Sequence, residues 1–301
     1  VTDRLFKPRC RVTIAVGSPI PGAWFTYLQD TIVIEGMRVK LQTEKHLGKK
    51  PNEATIWISN LNEATRAALK KRPLNVQLEV AYDTGSYAIL FQGDVREDES
   101  KHEPPNWTTK IQLADGQRAI DNARVSAGLG GPVTGTQALQ IAAASMGLVV
   151  PKNAKGATAL VAAIANNGFT FHGPAQDVLT KVLDPSGLGW SIQDQQLQIL
   201  GERDVIDGNG VVTTSGTLPA IVVSQATGMV GAPDYSVPKT LGKPPILKVK
   251  SQIDTRAVPG RLMQLVSETI NGNFRIEDVK NVGDTHGRTA DWFSEIQAKQ
   301  L

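Results

Sequence analysis

Polar and apolar residues alternate along most of the first third of the chain. Arg11-Val12-Thr13-Ile14-Ala15-Val16 has the period of two expected of a half-buried strand. Ile32 to Leu41 continues the β signal, and Thr55-Ile56-Trp57-Ile58-Ser59 is a further short strand. Between them Gln42 to Asn52, rich in Lys and carrying Gly48 and Pro51, reads as an exposed loop. A short helix follows, with Asn62 as its cap, Ala64, Ala67, Ala68 and Leu69 as helix formers, and Pro73 as its stop. Val76 to Val80 and Tyr87 to Val95 form a strand pair turning at Asp83-Thr84-Gly85. Trp107 to Leu113 closes the region. Several short strands around one small helix predict a compact β-barrel over residues 1–117.

The pattern changes over residues 118–203, which read as a small α/β insertion. Gly128, Gly130, Gly131 and Gly135 form a connector. Thr134 or Thr136 caps a helix running through Met146, with Gly147 at its end. Ala159 to Asn166 suggests a second short helix. Pro174 to Leu183 predicts a stronger one, because Val178, Leu179, Val182 and Leu183 share a face. Gly189 to Gln193 and Gln196 to Leu200 flank an Asp194-Gln195 turn, a β-hairpin pattern.

Residues 204–301 return to strands and predict a second small barrel. Gly208, Gly210, Gly216, Gly228 and Gly231, with Pro219, Pro233 and Pro238, give a loop-rich start. Ile246–Val249, Leu262–Ser267, Phe274–Val282 and Trp292–Ala298 are its strands. An echo links the two β regions. Asp94-Val95-Arg96 and Trp107-x-x-x-Ile111-Gln112 recur as Asp278-Val279-Lys280 and Trp292-x-x-x-Ile296-Gln297. Two matching terminal hairpins imply a duplicated unit. Three chains carrying two such units build a ring of six similar lobes.

Composition narrows the function classes. The chain has 301 residues, 41% hydrophobic and 20% charged, which describes an ordered fold. Its net charge is only +3, which argues against a dedicated nucleic-acid or membrane-surface protein. A single cysteine, Cys10, excludes an intramolecular disulfide and a cysteine-based zinc site. No run approaches the ~18 apolar residues of a membrane helix. Val1-Thr2-Asp3-Arg4 opens no signal peptide.

Catalytic patterns are weak. His46, His102, His172 and His286 lie far apart in sequence, with no two-ligand spacing on a helix turn. Asp284-Thr285-His286 reads as turn chemistry, and no Gly-x-Ser-x-Gly elbow occurs. The Gly128–Gly135 loop lacks the Gly-Lys-Ser/Thr ending of a P-loop. Neither metal nor cofactor is expected. The basic stretch Lys45, His46, Lys49 and Lys50 is the candidate site, either a solvated hairpin tip or an arm contacting an acidic neighbouring subunit.

Several passages resemble the baseplate hub proteins of contractile-tailed bacteriophages, the late-control D and tail-hub superfamily. They are Lys50 to Arg66 with its Asn-Leu-Asn-Glu-x-Thr-Arg ending, Leu90-Phe91-Gln92-Gly93-Asp94-Val95, and Gly187 to Ile192 with Gln196 to Leu200. Gly228 to Pro233, Val258 to Leu262 and Gly283 to Gly287 complete an ordered set. The resemblance implies a mainly β fold, two tail-tube-like barrels with an α/β subdomain inserted. It implies a homotrimer with pseudo-six-fold symmetry that joins the hexameric tail tube to a trimeric spike. Its partners would be itself, the tail tube protein, the spike protein and other baseplate or wedge proteins. DNA would pass through the lumen without specific binding. The place implied is the virion tail baseplate, assembled in the host cytoplasm. The family has no shared active site, and the chain ending at Leu301 implies a separate spike protein. The competing reading is a wall-degrading or carbohydrate-binding tail enzyme, with Trp190 as a sugar platform beside a cleft in the insertion.

Overall fold

The computed structural model describes residues 7–16, 31–70, 74–83, 85–150, 163–165, 168–214, 218–236, 245–287 and 291–301. The first β region contains β1 (Pro8–Val16), β2 (Thr31–Glu35), β3 (Val39–His46), β4 (Asn52–Ser59), α1 (Glu63–Ala68), β5 (Leu74–Tyr82), β6 (Ala88–Glu103) and β7 (Asn106–Asp115). The insertion carries α2 (Gln117–Asn122), β8 (Arg124–Leu129), β9 (Val133–Thr134), α3 (Gly135–Ser145), β10 (Ala163–Ala165), β11 (Phe169–Pro174), α4 (Ala175–Leu183), β12 (Leu188–Gln193) and β13 (Gln196–Gly201). The last region comprises β14 (Val205–Ile206), β15 (Val212–Thr213), β16 (Ile221–Ser224), β17 (Met229–Ser236), β18 (Ile246–Ser251), β19 (Leu262–Val266), β20 (Asn271–Asp284) and β21 (Phe293–Gln300).

Local chemistry explains most boundaries. Asn62 accepts the Thr65 N–H at 2.7 Å and starts α1. Thr134 and Gln137 form a capping box at α3. Asp194 and Gln195 both take positive φ, the geometry of a tight turn matched to strand twist, and close the β12–β13 hairpin. The apolar run at 32–41 is not one strand. Gly36 at φ +76° breaks it into β2 and β3, which then pair with different neighbours.

Several expectations are corrected. The segment 42–52 is strand at both ends, so the exposed loop shrinks to residues 47–51. The polar stretch after Val95 is strand as far as Glu103, because β7 pairs with it along its whole length. Gly128 lies in β8, paired with Thr170, rather than in a connector. Ala163–Ala165 is a strand against β9, not helix, and residues 159–162 and 166 lie outside the described residues. So do Pro73, Thr84, Gly216 and Pro238. Pro233, expected in a loop, sits in β17, an edge strand with an irregular register there, which is where a residue without an N–H is tolerated.

The two β regions share one 13-stranded sheet. Its main path runs β17-β18-β21-β20-β3-β4-β7-β6-β5-β1-β2, with β19 and β16 branching from β20. One arrangement occurs twice. The path β3-β4-β7-β6-β5 and the path β17-β18-β21-β20-β19 take five consecutive strands in the same spatial order, first, second, fifth, fourth, third. Every contact in both is antiparallel.

The register dissects the sequence echo. Both fourth strands carry a bulge, between Val95 and Glu97 in β6 and between Ile276 and Asp278 in β20. Just past it Glu97 faces Gln112, and Asp278 faces Gln297. Ile111 and Ile296 are therefore equivalent, and so are Trp107 and Trp292. The Asp-Val-basic half is not: Asp94 precedes its bulge whereas Asp278 follows its own.

The repeats join where β3 lies against the far half of β20, from Asp278 opposite His46 to Asp284 opposite Lys40. Three apolar clusters underlie the sheet and insertion. One is built on Val12, Leu41, Ile56, Leu78, Phe91 and Ile111, and takes in Ile253 and Trp292 from the C-terminal region. A second packs α3 and α4 on the β12–β13 hairpin. The third gathers Val223, Leu247, Met263, Phe274 and Ile296. Trp292 is 4% exposed, edge-on to Tyr82, and donates its indole N–H to the Tyr82 hydroxyl at 2.9 Å. A Cβ at Gly283 would lie 2.6 Å from the Trp292 ring, so only glycine lets β20 pass this side chain.

Candidate functional site

The four basic-stretch residues have different fates. β3 alternates inward and outward side chains, and Lys45 falls on an inward position. It is 3% exposed, with its ammonium 2.6 Å from both carboxylate oxygens of Asp194. Lys45 is thus no part of an exposed contact arm, because the alternation of β3 turns it into the chain. His46 is half-buried, and its carbonyl accepts from the Gln193 side chain at 2.9 Å. Lys49 is exposed and reaches Asp184 at 3.3 Å, a surface pair of little energetic weight. Only Lys50 projects freely from the hairpin tip.

The four therefore divide between a buried anchor and a surface tip. The anchor includes residues that no sequence motif marks. Asn52, fully buried, donates to the Ile192 carbonyl and to Gln193 Oε1, both at 2.9 Å. The Gln195 N–H donates to Asp115 Oδ1 at 2.8 Å. The Asp194-Gln195 turn was legible as a turn, but nothing in the sequence pairs it with Lys45 and Asp115. The result is a polar peg from the insertion held between β3, β4 and β7.

Asp115 is the exceptional charge in this peg. Burial, with the Asp194 carboxylate beside it, pushes its pKa from 3.8 up to about 8, against the opposing pull of Lys45. The folded chain thus holds this proton over a range where the unfolded chain has released it. Stability from this group is complete below about pH 4 and is lost as pH rises towards 8. Asp115→Asn should melt close to the parent at pH 4 and above it at pH 8, as followed by thermal unfolding across that range. A constant difference at all pH values would show that Asp115 is ionised in the fold.

An open cleft of about 400 Å³ lies beside the hairpin tip, lined by Lys49, Asp184, Gln198, Glu202, Arg275 and Glu277, among others. Arg275 is already committed, to Glu277 at 2.7 Å and to the carbonyls of Gly201, Glu202 and Asp204. Trp190 is 3% exposed, belongs to the core of the insertion and donates its indole N–H to Thr180 Oγ1 at 3.2 Å. A sugar platform needs an open ring face, so that expectation fails. His286 contacts Thr285 in a surface turn, the role expected of it. Among the described residues no cluster of three or more metal-ligating side chains occurs, and no helix is long and apolar enough to cross a membrane.

Among the described residues β17 has β18 as its only strand partner, and the far half of β6 pairs only with β7. Among the described residues the outer sides of β2 and β16 are open as well, and open strand edges are places where another chain can pair.

Comparison with known proteins bears on that reading. A family model described as baseplate hub gp41 matches residues 9–237. No curated protein matches in sequence. Among solved structures, the tail protein from Neisseria meningitidis MC58 superposes with a TM-score of 0.62 at 10% identity, over 97% of this chain and 96% of that one. The 43 kDa tail protein of prophage MuSo2 from Shewanella oneidensis gives 0.60 at 9% identity, over 97% and 98%. A chain of the Francisella PdpA-VgrG complex, half-lidded, gives 0.59 at 9% identity, over 98% of this chain and 58% of that one. At these identities the likeness is one of fold.

Proposed function

The chain belongs to the baseplate hub gp41 family, and from that premise we propose that three copies form a ring joining a hexameric tail tube to a trimeric spike. The observation that carries this is the repeated five-strand order within one continuous sheet. One chain supplies two similar lobes side by side, so three chains supply six. A tube with six-fold symmetry then meets a matching rim, while a spike with three-fold symmetry meets the features that differ between the repeats. The ring surrounds a channel through which DNA passes without specific contacts, in keeping with the small net charge.

In this reading residues 1–117 and 204–301 are the tube-like units and residues 118–203 the insertion. Each has an apolar cluster of its own, and Ile253 and Trp292 lock the units together. The hub works as a scaffold, without catalysis of its own. It assembles in the host cytoplasm and resides in the virion baseplate, with the tube protein, the spike and other baseplate or wedge proteins as neighbours. The tip at residues 47–51 is the contact arm, through Lys50 and, on release from Asp184, Lys49.

Electron microscopy of the purified protein, with a solution mass, tests the ring. Six-lobed particles with a central hole and three chain masses are expected, alone or with the spike co-expressed. A monomer under both conditions would refute it. Lys49→Glu with Lys50→Glu should leave the ring intact and weaken its stacking on tube protein; undiminished stacking removes the arm.

A further inference from the structure

The internal repeat contains its own template for a contact between chains. Within one chain, β3 of the first repeat lies along the far half of β20, on the side opposite β21. β19 occupies the near half of that same side, as far as Arg275. β6 is built alike. β5 covers its near half as far as Asp94, the bulge follows, and the far half from Glu97 to Glu103 has β7 on one side only. The counterpart of β3 in the second repeat is β17, whose outer side is also unpaired among the described residues. The chain therefore makes one copy of a β20·β3-type junction and leaves both halves of a second copy open.

Within the chain the two open halves are not paired with each other; they lie on opposite sides of the intact junction in the strand order. We propose that the far half of β6 pairs antiparallel with β17 of a second copy of this chain, repeating the β20·β3 junction between subunits. This rests on the ring reading above and says which edges close it. Such a contact is head-to-tail, so it propagates until the rotation closes. Backbone hydrogen bonds supply its affinity.

The template also fixes the register. The bulges make Ser100, Lys101 and Glu103 equivalent to Asn281, Val282 and Asp284. On the other strand, Tyr235 faces Leu247 and Leu247 faces Ala298, whereas Thr43 faces Ala54 and Ala54 faces Leu113. Leu113 and Ala298 are equivalent, so Tyr235 corresponds to Thr43 and Asp234 to Gln42. Asn281 opposite Thr43 and Val282 opposite Gln42 then become Ser100 opposite Tyr235 and Lys101 opposite Asp234. An opposite-charge pair falls directly across the new seam. The template seam is closed in the same way, by Lys280 and Glu44 at 3.0 Å. Lys101 and Asp234 are both exposed, as is Val230, an apolar residue on the β17 edge.

A cross-linking experiment on the full chain tests edge and register together. Lys101→Cys with Asp234→Cys should oxidise to covalent dimers and closed trimers. Lys101→Cys with Tyr235→Cys, one residue out of register, directs its thiols to opposite faces and should link about tenfold less. Cys10 is buried and contributes no background. Three chain masses with equal, low linking by both variants would overturn the edge assignment while leaving the ring. Monomers throughout would overturn both. Charge reversal gives a second readout should the cysteine variants fail to fold. Lys101→Asp should weaken association about tenfold, and adding Asp234→Lys should restore it. Association unaffected by Lys101→Asp would count against the seam.

Discussion

Trp292→Ala should cost about 3–5 kcal/mol of unfolding free energy, at the upper end for a single core truncation. Trp292 opens the last hairpin of the second repeat, yet its ring is buried in the apolar cluster of the first. Removing it empties the space that Gly283 leaves for it, and strips the Tyr82 hydroxyl of its indole donor. Tyr82 would keep only its own donation to the Ile253 carbonyl, at 2.7 Å. The loss should appear as a lower urea midpoint. Amide exchange should rise first along β3 and the far half of β20, the seam beside the cavity. A loss under about 1 kcal/mol, or exchange rising evenly over the sheet, would mean that the repeats are held together mainly by backbone pairing.

Lys45→Met should be nearly as damaging, about 3 kcal/mol, towards the lower end for breaking a buried ion pair because Asp194 keeps some access to water. The methionine replaces the lysine stem well. The cost is electrostatic: Asp194 loses its counter-charge with Asp115 next to it, and the Asp194-Gln195 turn loses its tie to β3. Adding Asp194→Asn should recover most of the loss, since the charge that needed lysine is then gone. Denaturation of the single and double variants measures this directly. If the double variant is no more stable than Lys45→Met, the ammonium acts mainly on a partner other than Asp194, for instance the Phe91 ring 5.7 Å away.

These two residues mark where sequence reading reaches its limit. Strand alternation placed Ile14, Ile56, Ile58 and Ile111 inside correctly, since period two survives whatever the partner strand. The same rule applied to β3 would have turned Lys45 inward with Leu41 and Thr43, but local composition, Lys-rich and flanked by glycine and proline, argued for loop. Composition lost because β3 is held on both sides, by β4 and by β20. The hairpin of Gly189–Gln193 and Gln196–Leu200 and the α4 stripe were legible because their signals are local. The peg was not, since Asp115, Asp194 and Lys45 lie in three separate segments of the sequence. The repeat was glimpsed through its tryptophans. Their equivalence holds in register, but their surroundings have diverged: Trp107 lies beneath the Arg66 guanidinium and against His102 near a surface hairpin.

The β20·β3 seam also bears on how the chain is made. Its strands are separated by some of the longest sequence intervals in the fold: His46 is synthesised early, and Asp278, which faces it, only after a further 232 residues. At roughly 5–20 residues per second, β3 waits about 10–50 seconds on the ribosome for its second neighbour. During that interval the first repeat presents a strand edge to every other nascent chain nearby. The charges of Lys40 and Glu44, which later meet Asp284 and Lys280, stand on that edge meanwhile. Paired parallel and in register with the same strand of a neighbouring nascent chain they would set like charge against like, so the residues that close the finished seam also disfavour that mispairing before its partner exists.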